Sequence, residues 1–191
     1  MLILIAGLLL FLGTHSIGLF AADWRTRQIA RLGAGPWKGL YALVSLLGFG
    51  LIVWGFGIAR TSPEVLWVPP HWTRHLTMTL MLLSFILLVA AYIPGNWIKA
   101  KVGHPMLAAV KVWALAHLLV NGTLVDVILF GSFLIWAIVG FAINRRRDRA
   151  SGVTYPNAGV ARTVITVIVA VVAFVLFAHV GHMWLIGVNP L

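Results

Sequence analysis

The feature that most constrains this chain is a succession of apolar runs, each near 20 residues long, joined by short links that carry nearly all of the charge. A helix needs about 20 predominantly apolar residues to cross the hydrocarbon core of a bilayer. Six such runs use up nearly the whole of the 191 residues. Only 9% of the residues are charged and 61% are hydrophobic, whereas an ordinary soluble domain has about 25% charged residues. The chain therefore lacks the polar surface to coat a globule in water. The expected fold is all-α, a polytopic transmembrane helix bundle of about six spans. It forms a single domain over residues 1–191, with no room for a separate soluble catalytic domain.

Local punctuation places the spans. Span one covers about Leu2–Ala22 and ends at Asp23-Trp24-Arg25, where tryptophan marks the interface. It lacks the basic leader of a cleaved signal and carries His15 well inside, so it reads as a retained span. A polar link broken by Gly33, Gly35 and Pro36 leads to span two, about Gly39–Ala59. The glycines of span two form two seven-residue pairs, 48/55 and 50/57, and small residues let helices approach closely in lipid. Pro63, Pro69 and Pro70 keep the next link from being helical. Span three covers about His75–Ile93, span four Pro105–Val125, span five Val127–Ile143 and span six Val160–Gly187.

The net charge of +10 does not point to nucleic acid, because the basic residues are dispersed among links rather than gathered on one surface. They carry a topology signal instead. The links after spans one, three and five hold eleven Lys and Arg, against Arg60 and Arg74 in the others. That asymmetry places both termini on the non-cytoplasmic side of a bacterial inner membrane. No cysteine is present, which removes disulfides, thiolate metal sites, iron–sulfur clusters and covalent c-type haem attachment. No Ser/His/Asp triad, carboxylate pair or phosphate-binding glycine loop is recognisable, so hydrolase and kinase chemistry is not expected.

Ionisable groups within spans are costly and mark functional sites. Of the seven histidines, His15, His117 and His179 fall inside spans. His15 and His117 come to comparable depth on different helices, where two imidazoles could hold one haem iron from opposite faces. Equally, each could hydrogen-bond a neighbouring helix. Trp113 and Asn121 lie four residues either side of His117 and share its face. Asn121 could therefore orient the ring or meet a ligand, while Trp113 by itself reads as core packing. His104 and Lys111, seven residues apart, share a different face. His104 could cap span four or meet a haem propionate, and Lys111 could snorkel to the interface. The pairs His71/His75 and His179/His182 have spacings that suit a metal, but without Cys or Glu they read more plainly as interface residues. Asp126 reads as a partner for a basic residue or a cap for span five.

These residues resemble the NnrU family, named for a role in denitrification and related to plant and cyanobacterial zeta-carotene isomerase. The resemblance covers nearly the whole chain. It includes Gly13-Thr14-His15-Ser16 followed by Arg25, Gly39-Leu40-Tyr41 through Ser45 with Trp54-Gly55, and the ending His182-Met183-Trp184-Leu185-Ile186-Gly187-Val188. Its most specific stretch is Gly103-His104-Pro105-Met106-Leu107 followed by Lys111 through Gly122. That stretch is similar to a family pattern of R-H-P and then W-x-x-A-H-L-L-x-N-G.

The isomerase relatives bind b-type haem through two histidines, which fall on His15 and His117. In them, reduced haem isomerises a cis double bond of a conjugated polyene. The resemblance thus implies a non-covalent haem b with His15 and His117 as axial ligands and Asn121, Trp113, His104 and Lys111 around it. There are two departures. Gly103 stands where the family has Arg, and Ala114 stands where the isomerase has a cysteine, which excludes a thiol-dependent redox switch. No catalytic residue is identified.

Two functions are expected. One is a haem-b membrane protein, either an isomerase of a lipophilic polyene or a denitrification accessory in nitrite or nitric oxide reductase expression or maturation. The other is a haem-free small transporter or an assembly factor for respiratory enzymes. The expected partners are the lipid bilayer and a polyene substrate or redox partner.

Overall fold

The computed structural model describes residues 1–157 and 159–190. In chain order its helices are α1 (Leu2–Phe20), α2 (Ala22–Leu32), α3 (Ala34–Ala59), α4 (Thr73–Tyr92), α5 (Trp97–Val102), α6 (Pro105–Val120), α7 (Leu124–Ser151) and α8 (Val160–Leu176). The last of these runs through a π-helical turn, Phe177–Gly181, into α9 (His182–Ile186). Five segments are long and apolar enough to cross a membrane: α1, α3, α4, α7 and the continuous Val160–Ile186. The shorter apolar α6 is the sixth. Among the described residues there is no strand, only one isolated bridge between Val65 and Thr123. The chain is an all-helical, multi-pass membrane protein.

The long helices alternate in direction. Gly7 of α1 faces Ile52 of α3 while Gly55 faces Leu4. Thr77 and Ser84 of α4 bond Ala116 and Ala109 of α6, and His104 at the start of α6 meets Asp148 near the end of α7. The basic links therefore gather at one end of the bundle and both termini at the other.

Two basic residues of that end, Arg147 and Lys99, also complete helices, and a third, Arg162, holds the turn that follows α4. Arg147 donates to the carbonyls of Gly18 and Leu19 at 3.0 and 2.6 Å, Lys99 to Ala91 at 3.0 Å and Arg162 to Pro94 at 3.1 Å. The last carbonyls of a helix have no partner within it and form the negative end of its dipole. Cations there satisfy both requirements.

The element boundaries depart from the expected ones at several points. α3 begins at Ala34, so Gly35 and Pro36 lie in its first turn rather than in a broken link, and α5 forms within the link after span three. Three further departures have a clear cause. The link after span one is not irregular. It contains α2, with Asp23 in the first turn and Arg31 in the last, charges that complement the dipole, and it ends at Gly33 with φ 87°. Second, α6 stops at Val120 rather than Val125. The reason is a capping box: Thr123 Oγ accepts from the Asp126 N–H at 3.3 Å, and Asp126 accepts from the Thr123 N–H at 3.2 Å. Asp126 is thus the cap expected for span five. Third, α7 continues past Ile143 to Ser151, because arginine is a good helix former and no stop occurs before Gly152 at φ 64°.

At 16 residues, α6 rises about 24 Å, less than the roughly 30 Å hydrocarbon core. Protein rather than lipid covers its ends. Away from the basic end, Leu66 and Trp67 donate to the Gly122 carbonyl at 2.8 and 3.1 Å, and Leu124 donates to Glu64 at 2.9 Å. At the basic end, His104 packs against Asp148 and Tyr155. The larger buried cluster, including Leu4, Ile52, Ala114, Leu129 and Phe130, joins α1, α3, α6 and α7.

Candidate functional site

Two histidines, one on α1 and one on α6, adopt the same local posture. His15 Nδ1–H donates to the Phe11 carbonyl at 2.7 Å, and His117 Nδ1–H donates to the Trp113 carbonyl at 2.9 Å. Helical side chains lean toward the helix N-terminus, which brings each ring to the carbonyl four residues back. A carbonyl only accepts, so Nδ1 carries a proton; of the two neutral tautomers this bond selects the one whose Nε2 holds the lone pair. Metal-ligating histidines are usually oriented in this way, with one ring N–H on a carbonyl and the other nitrogen turned to the metal. His104 differs, because its Nε2 lies 2.8 Å from Asp148 Oδ2 and is already engaged.

Since α1 and α6 run in opposite directions, the two rings lean toward a common level. That level is filled with aromatic side chains. Phe11 stacks on His15 with centroids 4.1 Å apart and meets Phe133 at 5.8 Å; Phe133 meets Trp113 at 5.4 Å, and Trp113 meets His117 at 5.3 Å. Phe130 stacks on His117 at 4.6 Å, while Trp136 stands edge-on to His15 at 6.3 Å and donates to Ser16 Oγ at 3.1 Å. His15 and His117 are thus the two ends of a run of rings. Sequence reasoning did not single out the contribution of α7. Its signal was present: Phe130, Phe133 and Trp136 recur every three residues and so share one helix face.

On its other side His15 meets Tyr41 of α3, centroids 5.4 Å apart. The two line a cleft of about 600 Å³ toward the basic end, together with Arg25, Trp37 and Lys38. Trp37 is buried and held edge-on by Trp24 of α2 at 5.8 Å, which closes α2 onto α3. Ser45, one turn beyond Tyr41 on α3, has a buried Oγ with no hydrogen-bond partner among the described residues.

The remaining residues singled out in the sequence go elsewhere. Asn121 donates to the backbone carbonyl of His117 at 2.9 Å, completing the end of α6, and does not hold the imidazole. The same carbonyl also accepts the Asn121 backbone N–H at 2.9 Å, so both donors of Asn121 close the end of α6. Lys111 Nζ sits 3.6 Å from the centroid of Phe141, and His104 stands edge-on to the same ring at 6.3 Å. His104 occupies the N-cap position of α6, but its side chain makes no capping hydrogen bond there. Asp148 of the extended α7 reaches it instead, about 20 Å along the α6 axis from His117. Tyr155 donates to the same Asp148 oxygen at 2.9 Å. Burial, then the bond to and charge of Asp148, push the Tyr155 hydroxyl above the usual tyrosine range. His71, His75 and His179 are exposed, and His182 donates to the Val188 carbonyl at 2.7 Å. Among the described residues no group of three or more His, Asp or Glu could hold a metal ion.

No curated protein and no solved structure matches the chain. The model of one family, described as NnrU protein, matches residues 3–190. That match takes in all six membrane helices, both imidazoles and the aromatic layer between them, and the chain belongs to the NnrU family.

Proposed function

We propose that this NnrU-family protein binds one haem b non-covalently within the bundle, with the Nε2 atoms of His15 and His117 as its iron ligands. The observation that carries this reading is the shared posture of the two rings, each with Nδ1 committed to its own helix and Nε2 left over. Two further features fit a haem. Its faces would lie against an aromatic layer, and the buried hydroxyl of Ser45 lacks a partner on the side of His15. Seating one iron between the histidines requires the run Phe11–Phe133–Trp113 to open. Those three side chains are accordingly expected to turn on binding.

A bound haem supplies one-electron redox chemistry and, when ferrous, electron density to a conjugated ligand. The chain's own part is to exclude water with α7 and the aromatic layer, to hold the imidazoles in one tautomer, and to orient an apolar substrate entering from lipid. On this reading the reaction class is redox-dependent cis–trans isomerisation of a lipophilic polyene, or electron handling in support of denitrification. The protein sits in the bacterial inner membrane with its basic end in the cytoplasm and both termini outside, as the eleven-to-two distribution of cations favours.

The test is the absorption spectrum of detergent-purified protein, air-oxidised and dithionite-reduced. A Soret band is expected, with the sharp α band of a six-coordinate low-spin haem after reduction. His15→Ala and His117→Ala should each shift or abolish it without loss of membrane insertion, whereas His71→Ala and His182→Ala should not. If both ligand variants keep full haem with unchanged spectra, the assignment is wrong. Absence of any Soret band favours the haem-free transporter or assembly factor.

A further inference from the structure

The cations of the basic end fall into two groups. Arg147 and Lys99 are spent on helix-terminal carbonyls, and Arg162 on the turn after α4. The side chains of Arg25 and Lys38 make no hydrogen bond and no ion pair among the described residues, and both line the cleft between α1, α2 and α3. That cleft lies on the other side of His15 from Phe11 and the aromatic layer, so it is a site apart from the space between the two histidines. None of the residues lining it is acidic. Its volume of about 600 Å³ falls within the usual 300–1,000 Å³ of a small-molecule site.

The cleft sits where the spans end. α1 stops at Phe20 and α3 starts at Ala34, so His15 and Tyr41 lie about 8 and 10 Å inside those ends at 1.5 Å per residue. The mouth therefore carries charge, while Trp37, Tyr41 and His15 form an aromatic floor at the level of the first acyl carbons. Over the mouth lies α2, an amphipathic helix that buries no residue and carries Arg25, Arg27 and Arg31, the composition of a helix lying at headgroup level. A small free anion would use the cations and leave the aromatic floor without a ligand. A headgroup with its own choline or ethanolamine would bring a third positive charge beside two that no acid offsets. An anionic headgroup with an apolar tail satisfies both parts, and basic pockets between membrane helices take such lipids.

We propose that this cleft binds one anionic phospholipid from the leaflet at the basic end, with Arg25 and Lys38 on its phosphate and Trp37 and Tyr41 against its glycerol backbone and first methylenes. The proposal stands on the cleft alone and holds whether or not a haem occupies the opposite side of His15.

The experiment counts lipids retained by the purified full chain in detergent by native mass spectrometry, with dioleoyl phosphatidylglycerol and dioleoyl phosphatidylcholine titrated separately. The wild type should retain one phosphatidylglycerol with a preference on the order of tenfold or more over phosphatidylcholine, since each Lys or Arg near the surface favours anionic lipid. In Arg25→Gln/Lys38→Gln that preference should disappear, with phosphatidylcholine retained as by the wild type. Arg27→Gln/Arg31→Gln, which removes the same charge from α2 outside the cleft, should keep it. Inorganic phosphate at the concentration of the lipid should not displace phosphatidylglycerol. Equal retention of the two lipids by the wild type overturns the proposal. So does an equal loss of preference in both double variants, because the attraction then belongs to the whole basic end. Loss of both lipids alike in Arg25→Gln/Lys38→Gln overturns it as well, because the cations then act through structure. Displacement by inorganic phosphate makes the cleft a small-anion site and overturns the lipid assignment.

Discussion

The two histidine-bearing helices are held in the bundle by different physics. α1 is joined to α3 by backbone approach. A methyl group added at Gly7 would lie 2.6 Å from the Ile52 nitrogen, one at Gly48 would lie 2.8 Å from the Phe11 nitrogen, and one at Gly55 would run into the backbone of Leu4. α6 is joined to α4 by hydroxyl groups. Thr77 and Ser84 donate across the interface to the carbonyls of Ala116 and Ala109 at 3.0 and 2.9 Å, among small alanines. Lipid offers no hydrophobic force between helices, so close contact and interhelical hydrogen bonds are what remain. The comparison teaches that the His15 side is set by shape, which tolerates no added atom, and the His117 side by polar bonds, which are individually weak. α7 serves both sides, through Trp136 to one and Phe130 to the other.

The largest expected effect breaks the shape side. Gly55→Leu places a side chain against the backbone of Leu4, and overpacking of this kind costs about 3 kcal/mol. It should lower the unfolding midpoint sharply as the SDS fraction of mixed micelles is raised, and should disturb the His15 cleft. Gly57→Leu, on the same helix with open space around it, should leave the midpoint nearly unchanged. Equal behaviour of the two variants would mean that the α1–α3 contact is not made through these glycines.

A gentler pair sharpens the same contrast. Gly57→Ala should stabilise the protein, because alanine is favoured over glycine in a helix by up to about 1 kcal/mol. Gly48→Ala should destabilise it, because Phe11 leaves no room. The opposite order in the same titration would contradict the packing described.

On the polar side the losses should be smaller. Thr77→Val and Ser84→Ala each remove one interhelical hydrogen bond, worth about 0.6 kcal/mol in membrane proteins. The double variant should lose about the sum, with α6 remaining in place. A loss for either single variant as large as that of Gly55→Leu would show that the two pairings are not distinct in kind.

The smallest effect concerns the clamp that holds the start of α6. The folded protein raises the Tyr155 hydroxyl above its ordinary value near 10, through burial and Asp148. The contribution is therefore full below about pH 10 and is lost as pH rises through the higher folded value. Unfolding midpoints taken between about pH 9 and 11 should fall more steeply in wild type than in Tyr155→Phe. Parallel curves would remove Tyr155 from the account.

The membrane class, the six helical passes and the alternation of basic and non-basic links were legible in the sequence, as was the common face of Trp113 and His117. These are local properties: the length of an apolar run, the sign of a link and the period of a helix each act against the bilayer without regard to partners. Tertiary structure decided the rest. Both seven-residue glycine pairs look alike in sequence, but only 48/55 meets another backbone, while Gly50 and Gly57 face open space. The split of span four from span five lies at the Thr123–Asp126 box, because the cap bonds outweigh continued apolarity. Asn121 serves a backbone carbonyl rather than the imidazole, and the layer between the histidines is built from α7. Choices of this kind are small free-energy differences between alternative packings of equally apolar faces. In lipid, where burial itself favours no face, they are settled only when the helices meet.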